Sequence, residues 1–312
     1  MREDCFFRAS FGQRVSRFGD RSVPVTCALN IPAILPSKRL VVQSLNQTMK
    51  RTTFLSTLAL AALLAAPAPL FAQAKSDAKD AKKDAKKDAT PKKPNPVQAP
   101  DVAAPKFRDG EPDAGFIKTH EGYVAIAKAG GVDVLFLGDS ITAGWRGNGK
   151  EAWEKSFAAY KTANFGIGGD RTQHVLWRIT NGELDGIKPK AVVLMIGTNN
   201  SGTDEADGIA KGVTAIVKAI HAKSPATKVL LLAVFPRGEK PNPQREKIAK
   251  VNTTIAKLHD GKGVHYLDIG AKFLTADGTL TKDIMPDFLH LSKAGYQIWA
   301  DAITPKLAEL TK

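Results

Sequence analysis

VDVLFLGDSITAG, residues 132–144, sets six almost continuously apolar residues against Gly138-Asp139-Ser140 and then a segment able to start a helix. An apolar run of this length, broken by a glycine turn, reads as a strand buried on both faces, the kind that fills a parallel sheet. Four more such runs follow, at 163–167 (ANFGI), 191–196 (AVVLMI), 228–235 (KVLLLAVF) and 264–268 (VHYLD). Helical patterns lie between them at 150–160, 171–182, 204–223 and 243–259, and another at 292–310 closes the chain. Five strands alternating with helices predict an α/β fold, a three-layer α/β/α sandwich around a parallel five-stranded sheet.

Upstream of that pattern the composition changes. Residues 49–74, MKRTTFLSTLALAALLAAPAPLFAQA, place Lys50 and Arg51 before an apolar run from Phe54 to Ala66, then Ala72-Gln73-Ala74 as a small-x-small cleavage site. This is the layout of a secretory signal peptide, with Lys75 as the first mature residue and a periplasmic or extracellular destination. A permanent membrane span needs about 20 apolar residues, and Pro67 and Pro69 cut this run short. Residues 1–48 have no sustained period and read as sequence upstream of a true start at Met49. Residues 75–105 repeat a Lys/Asp/Ala theme and turn Pro-rich, which predicts a solvated, disordered tether with no apolar face to bury. The domain that carries the strand and helix pattern is then 106–312.

Charge and cysteine narrow the function classes. The whole chain carries +14, but residues 106–312 hold 28 Lys and Arg against 23 Asp and Glu, leaving +5. That excess gives little support to nucleic-acid binding. Both cysteines, Cys5 and Cys27, precede the export segment, so the domain has neither disulfides, nor a thiol nucleophile, nor a Cys metal site.

In open α/β sheets, ligands gather at the carboxyl ends of the strands. The first strand ends in Gly138-Asp139-Ser140, the second in GIGGD with Gly168 and Gly169, and the third in GTNN with Asn199 and Asn200. If the second and third strands flank the first, each about 4.8 Å away, Ser140 stands between a glycine turn and an asparagine. Serine at that place is also a good helix N-cap, and the two roles have to be told apart. Attack on an ester carbonyl creates an oxyanion that needs donors about 3 Å away. The backbone N–H groups of Ser140 and Gly169 and the side-chain amide of Asn199 can supply three, glycine allowing a close approach without a Cβ in the way.

A serine nucleophile needs a base. His120, His174, His221, His259 and His265 fall in helical or strand contexts that packing or solvent explains. His290, in the loop-like PDFLHLS of 286–292, precedes the last helix and can return to the same rim, with Asp287 three residues before it. A carboxylate there fixes the imidazole tautomer and stabilises the imidazolium formed when the ring takes the serine proton.

The four blocks, GDS at 138–140, GIGGD at 166–170, GTNN at 197–200 and DFLH at 287–290, resemble in kind and order the SGNH (GDSL-type) hydrolase family. The text of 164–200 and the PRGEKPNP of 236–243 are similar to the catalytic subunits of intracellular platelet-activating factor acetylhydrolase. The resemblance implies a flavodoxin-like sheet of order 2-1-3-4-5 and a Ser-Asp-His triad without metal or cofactor. It makes Ser140 the nucleophile, assigns the oxyanion hole to Ser140, Gly169 and Asn199, and gives proton transfer to His290 and Asp287. The choice of Gly169 over Gly168 rests on alignment of the GIGGD block. The implied activity is hydrolysis of carboxylic esters, short acyl groups such as acetyl favoured, through an acyl-enzyme.

The related subunits are cytosolic and this chain carries an export signal, so substrate identity is not transferred. A small-molecule or polysaccharide ester is the expected partner. A carbohydrate O-acetylesterase without lipid activity is the alternative, and a homodimer is a compatible assembly. A non-catalytic phosphate-binding module is disfavoured, because GIGGD lacks both the full G-x-G-x-x-G spacing and a Walker-type Gly-Lys-Ser/Thr.

The remaining singular residues read mostly as structural. Asp139 is expected to tie its turn to the backbone, and Trp145 and Arg146 to be packed and solvated respectively rather than substrate-facing. Arg171, Trp177 and Arg178 fall on the helix after Gly169, and Arg237 and Lys240 follow the fourth strand at the same rim.

Overall fold

The computed structural model describes residues 92–312. The leader at 1–48, the signal segment at 49–74 and the first part of the tether, 75–91, lie outside the described residues.

The five apolar runs form β1 (Val134–Gly138), β2 (Thr162–Gly166), β3 (Ala191–Met195), β4 (Lys228–Leu232) and β5 (Val264–Leu267). They pair in parallel in the order β2-β1-β3-β4-β5, which is the 2-1-3-4-5 order expected. Successive side chains on a strand point to opposite faces. Leu135, Leu137, Phe165, Val192 and Leu194 enter one buried cluster, while Val134, Phe136, Val193 and Met195 enter another. Helices α1 (Ala114–Ala129), α4 (Thr172–Arg178), α5 (Ala206–Lys223) and α6 (Pro243–Ile255) contribute to the first cluster. Helices α3 (Lys150–Phe157) and α7 (Lys293–Leu310) contribute to the second, with Trp145, Tyr296 and Trp299 at its centre. These are the three layers, and among the described residues no helix is long and apolar enough to cross a membrane.

Several element ends differ from the sequence expectation for identifiable reasons. Helix α1 carries no expectation at all, because its buried stripe is Phe116, His120, Tyr123 and Ala127, a histidine and a small residue breaking the apolar signal. Its start is set by Asp113, whose carboxylate accepts from the Phe116 N–H at 2.8 Å. The fourth strand was expected to reach residue 235 and ends at Leu232, since the Asn252 side chain takes both the N–H and the carbonyl of Val234. The helix expected at 171–182 ends at Arg178, and the backbone leaves helical geometry at Asn181 and Gly182.

Residues 92–105, assigned by composition to the tether, lie against the domain instead of running free in solvent. Thr172 Oγ1 donates to Pro100 O at 2.7 Å, Ala104 N to Gln173 O at 3.2 Å, and His174 Nε2 to Gln98 Oε1 at 3.1 Å. Extended, proline-containing backbone keeps its carbonyls unpaired and loses little entropy on docking. Helix α5 makes room for it at Gly212, where a Cβ would fall 2.4 Å from Pro100 O.

Candidate active site

Register brings the rim together: Gly138, the last residue of β1, stands opposite Gly166 of β2 and Met195 of β3. The short helix α2 (Ser140–Ala143) begins immediately after β1. Its N-cap is Asp139, whose Oδ1 accepts from the Ile141 N–H at 2.9 Å. The capping role is therefore filled by the aspartate, and the Ser140 hydroxyl is left for another partner.

That partner is His290, with Ser140 Oγ 2.9 Å from Nε2. On the other side of the ring, His290 Nδ1 lies 2.6 Å from Asp287 Oδ2. With the proton on Nδ1 shared with the carboxylate, Nε2 is the acceptor for the serine hydroxyl. Asp287 is oriented in turn by its other oxygen, which accepts from the backbone N–H of Leu289 at 3.1 Å and of His290 at 2.7 Å. Phe288 adopts φ 57° to close this turn, a conformation uncommon for a bulky residue, and its carbonyl is pinned by the Gly238 N–H at 2.8 Å. Partial burial pushes the Asp287 carboxyl up, but the hydrogen bonds from the His290 ring and backbone outweigh it and hold it below the ordinary aspartate range.

The turn after β2 carries Gly168 and Gly169, the latter at φ 74°, the left-handed region that glycine enters without a Cβ penalty. Asn199 Nδ2 donates one hydrogen to Asp170 O at 2.8 Å, leaving the second. The structure thus brings Ser140, Asp287 and His290 into one hydrogen-bonded relay and, through Asp170 O, ties Asn199 after β3 to the turn after β2 that carries Gly169.

Beneath that turn runs a buried chain of charges that the sequence did not disclose as a unit. Arg178, fully buried, donates to Asp170 Oδ2 at 2.9 Å, to Glu183 Oε2, and to Gly138 O at 3.3 Å. His120 Nδ1 donates to Glu183 Oε1 at 2.9 Å, and Lys106 Nζ lies 3.0 Å from Asp170 Oδ1. Paired charges of this kind hold geometry, because removing one partner strands the other in a low-dielectric interior. Burial, then the cations Lys106, Arg171 and Arg178, push the His174 ring down to about 3 and keep it neutral. Its Nδ1 accepts from the Arg171 N–H and its Nε2 donates to Gln98. Burial is also the main reason Asp139, with no exposed surface, is pushed up to about 7, helped by nearby Asp170 and opposed by the Ile141 N–H.

Other residues singled out from the sequence take structural places. Trp145 is buried among Trp153, Phe157, Tyr296 and Trp299, and Arg146 clamps Asn164 O and Gly166 O, both at 2.9 Å. Trp177 packs against Phe116 and His120. Arg171 lies 3.9 Å from Asp204. Arg237 donates to Thr198 O at 3.1 Å, and Lys240 reaches Thr279 Oγ1 at 3.3 Å. Tyr296 was not singled out, yet its hydroxyl donates to Ile141 O at 2.6 Å and ties α7 to the serine-bearing helix. A tyrosine at helical spacing from Trp299 gave no sign beyond core packing.

The sequence profile of the GDSL-like lipase/acylhydrolase family matches residues 136–298. The chain is similar to platelet-activating factor acetylhydrolase IB subunit alpha2 of Gallus gallus, 43% identical over 203 residues that cover 65% of this chain and 86% of that protein. Subunit alpha1 of Homo sapiens is 40% identical over 205 residues, 65% of this chain and 83% of that one. Among solved structures, a Streptococcus pneumonia protein named for platelet activating factor superposes with a TM-score of 0.54 at 26% identity, over 61% of this chain and 92% of its own. A GDSL-like lipase of Bacteroides thetaiotaomicron gives 0.51 at 20% identity, over 61% and 97%, and supports the fold. With these similarities spanning the sheet and all four rim blocks, the chain belongs to the GDSL-like lipase/acylhydrolase family and is a hydrolase acting on ester bonds.

Proposed function

We propose that the chain is an exported serine esterase that cleaves short-chain carboxylic esters, acetyl esters foremost, through an acyl-enzyme on Ser140. The observation that carries this reading is the 2.9 Å approach of Ser140 Oγ to His290 Nε2, with Asp287 on the far side of the ring. As Oγ bonds to the carbonyl carbon, its proton passes to Nε2 and the carbonyl becomes an oxyanion. The N–H groups of Ser140 and Gly169 and the remaining hydrogen of Asn199 Nδ2 meet that charge. Collapse breaks the bond to the leaving alcohol, which takes the proton from His290. Water then attacks the acyl-serine, losing a proton to His290, and release of the acid restores the serine.

The preference for acetyl rests on the relatives, which are named as acetylhydrolases. Export rests on residues 49–74, with 1–48 upstream of the start and the hydrolase domain following the tether. A second reading is a carbohydrate O-acetylesterase without lipid activity, since the export segment at 49–74 would make acetylated polysaccharides outside the cell as accessible as lipids. Acetate release from acetylated sugars, compared with turnover of short- and long-acyl esters, separates the two. The proposal expects short-acyl esters to outrun long ones, and loss of all ester turnover in Ser140→Ala. Undiminished turnover in that variant would overturn it.

A further inference from the structure

The peptide that joins Gly168 to Gly169 is gripped from behind by a residue outside the family-matched region. Lys106 Nζ donates to Gly168 O at 2.7 Å and lies 3.0 Å from Asp170 Oδ1, its side chain 18% exposed. The other side of the turn faces the nucleophile, since a Cβ built on Gly168 would fall 3.9 Å from Ser140 Cβ. A trans peptide is planar, and its C=O and N–H point to opposite sides. A cation fastened to the Gly168 oxygen therefore fixes the direction of the Gly169 N–H and polarises it as a donor. Among the described residues that N–H donates no hydrogen bond.

The second grip of Lys106 acts on the other donor. Asp170, whose carboxylate it pairs together with Arg178, offers its carbonyl to Asn199 Nδ2 at 2.8 Å. Both non-serine donors thus hang from residues 168–170, and one ammonium holds that turn at two points. We propose that Lys106 is a positioning residue for ester hydrolysis: its ammonium aims the Gly169 N–H, and through Asp170 the Asn199 amide, at the oxyanion. The inference rests on Ser140 and its oxyanion donors acting as described above.

A group that matters only as charge develops on the substrate lowers kcat and leaves KM nearly alone. Full-chain parent, Lys106→Met, Lys106→Gln and Ser140→Ala are compared on a short-acyl ester. Turnover in the serine-bearing forms is counted per serine titrated with a fluorophosphonate, which removes any unfolded fraction. Lys106→Met is expected to lose about ten- to a hundredfold in kcat, with KM within about twofold. Lys106→Gln, which keeps a donor for Gly168 O without the charge, is expected to fold if the methionine variant does not, and to lose less. A folded Lys106 variant whose kcat per site stays within about twofold of the parent, while Ser140→Ala is inactive, overturns the positioning role alone. Activity persisting in Ser140→Ala overturns the underlying reading, so the two failures are told apart in one assay.

Discussion

Ser140 and His290 stand 150 residues apart in the chain and 2.9 Å apart in space, one at the end of the first strand and the other just before the last helix. Nothing local joins them; the parallel sheet delivers the first, and the Asp287–His290 turn, held by Gly238, returns the second. Ser140→Ala and His290→Ala should each keep the parent's circular dichroism while losing at least about a thousandfold in kcat. Steady-state kinetics beside far-UV spectra checks both halves of the statement.

Asn199 presents one amide hydrogen to Asp170 O, which leaves the other for the proposed oxyanion. Asn199→Ala should cost on the order of 10²–10³ in turnover, the usual loss for one oxyanion donor, and less in KM. Kinetics over a substrate range that brackets the parent's KM shows the split.

Asp139 gives the stability of the fold a slope in pH. Its folded carboxyl is pushed to about 7, above an unfolded value near 3.8, so its protonated form is the one the interior favours. The contribution is fully present below the unfolded value and is lost as pH rises through about 7. Asp139→Asn keeps an acceptor for the Ile141 N–H and removes the titration. The variant's Tm should gain on the parent's between about pH 4 and 7, a difference that thermal melts across that window measure. A parallel pair of curves contradicts the assignment.

Tyr296 ties the final helix to the serine helix through a buried hydroxyl. Tyr296→Phe leaves the Ile141 carbonyl without that donor and should cost about 1–2 kcal/mol in urea unfolding, with the slope of the transition unchanged.

Much of this molecule was readable from residues in order. The strands are apolar throughout because helices cover both their faces, so 134–138 and 191–195 announce themselves, and strand ends carry the GDS, GIGGD and GTNN blocks to one rim. The less legible parts depend on distance or on mixed composition. Helix α1 hides behind His120, which is buried only because Glu183, 63 residues on, accepts from it. Residues 92–105 read as tether because their partners are backbone atoms and polar side chains of α4, contacts that leave no apolar pattern. Lys106 looked like one lysine among many, and its meaning comes from a carbonyl 62 residues away.

Treatment of the intact protein with a fluorophosphonate probe, followed by peptide mass spectrometry of the parent and of His290→Ala, tests the central claim most directly. The account predicts a single modified serine, Ser140, in the parent, and strongly slowed labelling there once the imidazole is gone. Modification of a different serine, or labelling of Ser140 at an unchanged rate without His290, would contradict it.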